Sequence, residues 1–207
     1  MTRVKVCGIT NLEDALAALD AGADILGFNF YARSPRHVTP VAARRIIERL
    51  PEGAECVGVF VNEASPADVE RMAREAGVPA VQLHGDEPPE YCRGLAGFTR
   101  IKALRVSPDF EPETAAAYPA DAVLLDAYVA GEWGGTGHTF DWALARRTRA
   151  AVRRLFLAGG LNSDNVAEAV AAVRPYAVDV CSGVETSPGR KSHELLRRFV
   201  ERVREGE

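Results

Sequence analysis

No apolar run in this sequence is long enough to cross a membrane; the longest are strand-sized. Neither charge dominates. Twenty-five Lys and Arg stand against 29 Asp and Glu, giving a formal net charge of −4. That mild acidity offers no electrostatic footprint for nucleic acid or an anionic lipid surface. The N-terminal stretch MTRVKVCGIT has no apolar signal region, which leads us to expect a cytoplasmic protein. Cysteine is scarce. Cys7, Cys56, Cys92 and Cys181 form no C-x-x-C pair and have no histidine at ligand spacing, so neither a zinc site nor any other metal site is expected. In a reducing compartment they are free thiols, and most free thiols are small buried hydrophobes.

What the 207 residues do have is regular alternation. Short, β-branched apolar runs occur near Val4–Val6, Ile25–Phe30, Val57–Val61, Ala80–Leu83, Ile101–Val106, Ala122–Leu125, Leu155–Leu157 and Ala177–Val180. Runs apolar on both faces suit a covered parallel sheet. Helix signals lie between them. Asn11 caps a helix that Gly22 ends; Pro40 opens one through Leu50; Ser65-Pro66 starts one that Gly77 ends; Pro88 and Pro89 open a fourth. Further helices are expected over Asp141–Arg149, Ser163–Val173 and Ser192–Val203. The fifth connection is weak. Fourteen residues separate Val106 from Asp121, and Pro108, Pro112 and Pro119 lie among them, so one or two turns are the most that fit.

Eight such units in one domain, 1–207, suit a closed (β/α)8 barrel or an open doubly wound sheet. Lys5, Gln82, Lys102 and Asp179 interrupt apolar runs. Facing covering helices, they would cost several kcal/mol each unless paired, roughly 2–7 kcal/mol for a polar group. Inside a barrel they can share one satisfied polar layer. The expectation is therefore a single-domain α/β (β/α)8 TIM barrel with a short or irregular fifth helix.

Active sites of this fold lie at the carboxyl ends of the strands. There the sequence places Cys7-Gly8, Ser34-Pro35-Arg36, His84-Gly85-Asp86, Asp126, Gly159-Gly160 and Ser182-Gly183. LAGGLNSDNV and VDVCSGVETSPGRKS each run from a strand into glycine and then a helix. The loops after strands seven and eight are the common phosphate site of the fold. Glycine admits backbone N–H groups close to phosphate oxygens. Tight turns alone would also use glycine, but two such loops in the right units favour phosphate.

Cys7 and Asp126 both reach the barrel rim and could divide proton transfer as base and acid. Lys5, on the face of Cys7, would favour its thiolate. An apolar wall from Leu124 and Leu125 would raise the pKa of Asp126. On spacing alone the alternatives stand: Cys7 packed as a small residue, Asp126 capping a loop. Arg36 is either a clamp on a carboxylate or phosphate, or a solvated surface arginine. The glycine-rich residues 127–139 are either a lid or a passive loop.

Taken together, KVCGIT, GFNFYARSPRHV, VGVFVN, VQLHGDE, GGTGHTFDW, LAGGLNSDNV and VDVCSGVE resemble, in this order, the phosphoribosylanthranilate isomerases. The resemblance covers Lys5 to Ser192. It implies an isomerase of tryptophan biosynthesis that performs an Amadori rearrangement. N-(5′-phosphoribosyl)anthranilate becomes 1-(2-carboxyphenylamino)-1-deoxyribulose 5-phosphate. It also implies Asp126 as general acid, Cys7 as general base, Arg36 on the anthranilate carboxylate, and the backbone around Gly159, Gly160, Ser182 and Gly183 on the phosphate. No metal or organic cofactor is implied, because the substrate's own iminium serves as electron sink. The implied partner is a phosphorylated small molecule; monomer and homodimer both stay open. Cys181 stands where many members carry serine, and His138 where lysine is common. Two other readings remain: the related sugar isomerase of histidine biosynthesis, and a silent phosphometabolite-binding barrel. The first would carry a second phosphate loop in its first half and an aspartate base on strand one, and this sequence has neither. The second would be expected to have lost Cys7 or Asp126.

Overall fold

In the computed structural model, residues 1–107, 109–127 and 142–207 are described. Eight parallel strands close into a barrel: β1 (Arg3–Cys7), β2 (Ile25–Asn29), β3 (Glu55–Phe60), β4 (Ala80–Leu83), β5 (Thr99–Val106), β6 (Ala122–Ala127), β7 (Leu155–Leu157) and β8 (Ala177–Val180). The closing seam pairs β1 with β8, setting Lys5 beside Asp179 and Val6 beside Val180.

The connecting helices start and stop where local chemistry dictates. In α1 (Leu12–Asp20), the Asn11 side chain accepts from the Asp14 N–H, and Gly22 follows at φ 99°. Thr39 caps α2 (Pro40–Ile47), Ser65 caps α3 (Pro66–Ala76), and Gly77 ends α3 at φ 76°. The short α4 (Pro89–Arg93) follows, then α5 (Trp142–Ala151), α6 (Val166–Val173) and α7 (His193–Glu205). The fifth connection is a 3-10 turn, Pro112–Ala117, as its prolines predict.

Two differences from the sequence expectations, at helix ends, have local causes. α2 stops at Ile47, short of Leu50, because Arg49 and Leu50 donate only to carbonyls three residues back. α6 starts at Val166, not Ser163. The Asn165 side chain accepts from the Asn162 N–H at 2.9 Å, and Asn162 accepts from Asp164 at 2.8 Å, so side chains hold the segment in a turn. After β8 comes an unanticipated feature: a 3-10 turn (Ser182–Val184) and a small hairpin, β9 (Glu185–Ser187) with β10 (Arg190–Lys191).

Alternation along the strands sorts the core into two apolar clusters. The larger lies between sheet and helices; the smaller, including Ile25, Val57, Ile101, Ala103, Leu124 and Phe156, fills the barrel. Above the inner cluster, Lys5 meets Asp179 at 2.9 Å and Gln82 donates to His84 Nδ1 at 2.8 Å. Gln82 Oε1 has no hydrogen-bond partner among the described residues.

Lys102 corrects the expectation of an inward lysine. Ile101 and Ala103 take the interior positions, so Lys102 points outward. There its ammonium donates to the Gly85 carbonyl at 2.7 Å and to Glu87 at 2.7 Å. Glu87 in turn accepts from the N–H groups of Asn62 and Gly85. A buried ion pair thus ties together the loops after β3 and β4, at the base of the segment that aims His84. The expected lid, its residue His138 and the helix start at Asp141 lie outside the described residues, apart from the backbone of Ala127.

Candidate active site

At the carboxyl ends of the strands lies a cavity of about 320 Å³. Cys7, Arg36, Asp126, Gly159, Gly160 and Ser182 all line it. Of the site residues expected from sequence, Gly183 alone is not among its lining. Its place is behind the wall: a Cβ on Gly183 would sit 2.1 Å from the Leu161 carbonyl oxygen. The loops after β7 and β8 therefore touch through backbone at this glycine. Gly159 and Gly160 are left-handed, with φ of 83° and 63°, a conformation that disfavours any side chain.

Cys7 ends β1 with its side chain inward. A Cβ on Gly27 would lie 2.9 Å from Cys7 Sγ and 3.3 Å from Lys5 Nζ, so thiol and ammonium share one corner that only glycine leaves open. A hydrogen bond with the Cys181 thiol, helped by the charges of Lys5 and Lys191, outweighs burial and holds the Cys7 pKa well below the ordinary thiol value. That same hydrogen bond, with burial, pushes Cys181 up. The two thiols thus shift each other in opposite directions, Cys7 toward the thiolate and Cys181 toward the protonated form. Burial pushes Asp179 up to about 7, against the opposing charge of Lys5.

Asp126 enters from β6 on the opposite side of the barrel. A ring that the sequence reading did not anticipate stands beside it: His84 Nε2 lies 3.1 Å from Asp126 Oδ2. Gln82 donates to the other ring nitrogen, which makes Nδ1 the acceptor and puts the ring proton on Nε2, facing Asp126. The sequence reading placed His84 at a strand end without a role; the alternation of Gln82 and His84 along β4 was the available signal.

Arg36 is not a solvated surface arginine. Its Nε and Nη2 grip Glu185 at 3.0 and 2.7 Å. Burial opposes its charge, but the hydrogen bonds to Glu185 outweigh that and raise its pKa. Among the described residues, Nη1 has no hydrogen-bond partner. Glu185 also receives Lys191 Nζ at 2.9 Å, and that ammonium donates to the carbonyls of Cys7 and Cys181 at 2.6 and 3.2 Å. Glu185 and Lys191 were missed from sequence because they meet only through the hairpin. Pro188-Gly189, with Gly189 at φ 79°, was its turn signal. Among the described residues, no cluster of three or more His, Cys, Asp or Glu is arranged to hold a metal ion, and no helix is long and apolar enough to cross a membrane.

A closed parallel barrel with a thiol, a carboxyl and an arginine converging at its strand ends has the architecture of a (β/α)8 barrel enzyme. Comparison with known proteins narrows the class. The family model described as N-(5′-phosphoribosyl)anthranilate isomerase matches residues 4–202. The N-(5′-phosphoribosyl)anthranilate isomerase of Trichlorobacter lovleyi is 50% identical over 205 residues, 99% of each chain. Crystallised monomers of the dimeric phosphoribosylanthranilate isomerase from Thermotoga maritima superpose with a TM-score of 0.88 at 46% identity, covering 99% of each chain. A phosphoribosylanthranilate isomerase in complex with reduced 1-(o-carboxyphenylamino)-1-deoxyribulose 5-phosphate superposes with a TM-score of 0.88 at 45% identity and the same coverage. The chain belongs to the N-(5′-phosphoribosyl)anthranilate isomerase family. It is an enzyme of tryptophan biosynthesis that isomerises an aldose to a ketose.

Proposed function

We propose that Cys7 and Asp126 are the base and the acid of this isomerisation. One observation carries the reading: the two side chains, from β1 and β6, face a single cavity whose wall also includes Arg36 and the loops after β7 and β8. Asp126 gives a proton to the ribose ring oxygen of N-(5′-phosphoribosyl)anthranilate. The C1′–O bond breaks and a Schiff base forms. The Cys7 thiolate removes the C2′ proton, and the electron pair moves into the iminium. The enolamine then tautomerises to the ketone. His84, with its N–H on Asp126, fixes the carboxyl's direction. Gly159, Gly160, Ser182 and Gly183 supply the phosphate loops. Arg36, held by Glu185 along one edge, offers Nη1 to the anthranilate carboxylate. The reading places the enzyme in the cytoplasm and leaves it as a monomer or, like the Thermotoga maritima relative, a dimer.

The test is turnover of N-(5′-phosphoribosyl)anthranilate together with binding of the reduced product analogue. Cys7→Ser should fold, bind the analogue and lose roughly 10²–10⁴-fold in rate, the contribution of a positioned base. A rate within a few-fold of the parent would remove Cys7 from the chemistry. Asp126→Asn should lose kcat and keep analogue affinity, since the amide delivers no proton. Affinity lost in step with rate would make Asp126 a binding residue.

A further inference from the structure

We propose that Cys7 and Cys181 form an oxidation site, a dithiol that peroxides convert to an intramolecular disulfide across the closing seam of the barrel. β1 and β8 pair through Lys5–Asp179 and Val6–Val180; carried one residue past the end of β8, that register brings Cys181 beside Cys7, and a Cβ on Gly8, the residue after Cys7, would lie 3.1 Å from Cys181 Sγ. Neighbouring strands lie about 4.8 Å apart, inside the about 4.4–6.8 Å Cα separation that disulfides span.

Three further features converge on this rung. Lys191 Nζ bridges the carbonyl oxygens of the two cysteines at 2.6 and 3.2 Å, which pins the two backbones together. Both residues line the open cavity, so a small oxidant reaches the sulfurs without unfolding. Each thiol also shifts the other, lowering the Cys7 pKa and raising that of Cys181. Cys56 and Cys92 offer the contrast: both are buried, neither lines the cavity, and burial raises both thiols, Cys56 to about 12.

The chemistry divides the two sulfurs by role. The Cys7 thiolate attacks one oxygen of hydrogen peroxide, the O–O bond breaks, hydroxide leaves, and Cys7 becomes a sulfenic acid. Cys181 gives its proton to that hydroxide and attacks Cys7 Sγ. The S–S bond forms as the S–O bond breaks and the second hydroxide leaves. Two sulfurs lose one electron each, and the peroxide takes both. A thiolate beside a resolving thiol is the arrangement that stops oxidation at the reversible stage. In the disulfide, Cys7 is no longer a thiolate and its sulfur is too weakly basic to take the proton, so catalysis stops until a thiol reductant restores it. That consequence rests on the proposed role of Cys7; the disulfide itself does not.

The experiment treats the purified enzyme with hydrogen peroxide and follows intact mass, disulfide-mapped peptides and rate, before and after dithiothreitol. Expected is a loss of two hydrogens, a linked Cys7–Cys181 peptide pair, and a rate loss on the order of 10²-fold that dithiothreitol reverses. In Cys181→Ser, each rate compared with that variant's own untreated rate, Cys7 should be trapped by dimedone as sulfenic acid. Prolonged treatment of that variant should leave damage that dithiothreitol does not repair. Linked peptides with full retained activity would uphold the disulfide site and overturn Cys7 as base. Cys7 oxidised beyond sulfenic acid with no linked pair in the parent overturns the inference. So does equal recovery by dithiothreitol in parent and Cys181→Ser.

Discussion

Lys5 and Asp179 meet beneath the base, and the charge of Lys5 adds to the effect of Cys181 in favouring the thiolate. The ammonium is wholly buried, 2.9 Å from Asp179. Burial opposes its charge, yet the charges of Asp179 and Cys7 raise its pKa. Burial holds the Asp179 carboxyl up at about 7, so it offsets Lys5 less than an ordinary carboxylate would. The remaining field of Lys5 falls on Cys7. Lys5→Met should therefore move the rise of kcat/KM with pH toward higher pH, since that profile reports the free enzyme's base. The loss should be large near neutrality and small in alkali. A uniform drop at every pH, with an unmoved midpoint, would assign Lys5 to packing alone.

At the scale of elements, the loops after β7 and β8 act as one unit because Gly183 lets their backbones touch. An alanine there would put its Cβ 2.1 Å from the Leu161 carbonyl and 3.1 Å from Asn162 Cα. Backbone cannot swing aside as a side chain does, so the loops must part, at about 1–3 kcal/mol for this kind of overlap. Gly183→Ala is expected to raise KM roughly ten- to hundredfold and to weaken competition by inorganic phosphate, with kcat less affected. Unchanged phosphate competition would place the phosphate elsewhere. The glycines themselves were legible in sequence, because a strand running into glycine is a local signal. So were the eight strands, most helix caps and the weak fifth connection, each set by neighbours a few residues away. Two other things were not legible. Lys102 looked inward because only the phase of β5 decides which way it faces, and phase is set by Ile101 and Ala103 packing against other strands. The Arg36–Glu185–Lys191 cluster spans 149 residues of sequence between Arg36 and its carboxylate, and no pattern of spacing announces it.

The whole molecule is closed by the ties between its first and last segments. Glu185 and Lys191 hold the loop that carries Arg36 and the two cysteine carbonyls; Lys191 N–H and His193 reach Asp14 in α1 at 3.0 and 3.1 Å. Arg204 donates to the Thr2 carbonyl at 2.6 Å. Two of the anchors, Glu185 and Asp14, are carboxylates, so the seam should be where acid acts. Burial works to raise the Glu185 pKa, but the Arg36 hydrogen bond and the Lys191 charge lower it below its ordinary 4.5. Asp14 is likewise lowered, burial being outweighed by the Lys191 N–H, Asn11 and His193. A carboxyl with a depressed folded pKa binds its proton later in the native state than in the unfolded chain. Its stabilisation is complete above the unfolded value and is lost as pH falls through the folded one. Urea denaturation from neutral pH downward should thus show stability falling below about pH 4.5. Glu185→Gln should start lower at neutral pH, by about 3 kcal/mol, the small end of the cost of removing one charge from a buried pair, because the amide oxygen still accepts. Its decline in acid should be shallower, with Asp14 supplying what slope remains. Parallel declines in parent and variant would mean that Glu185 titrates alike in the folded and unfolded chains, and that the seam is held by packing alone.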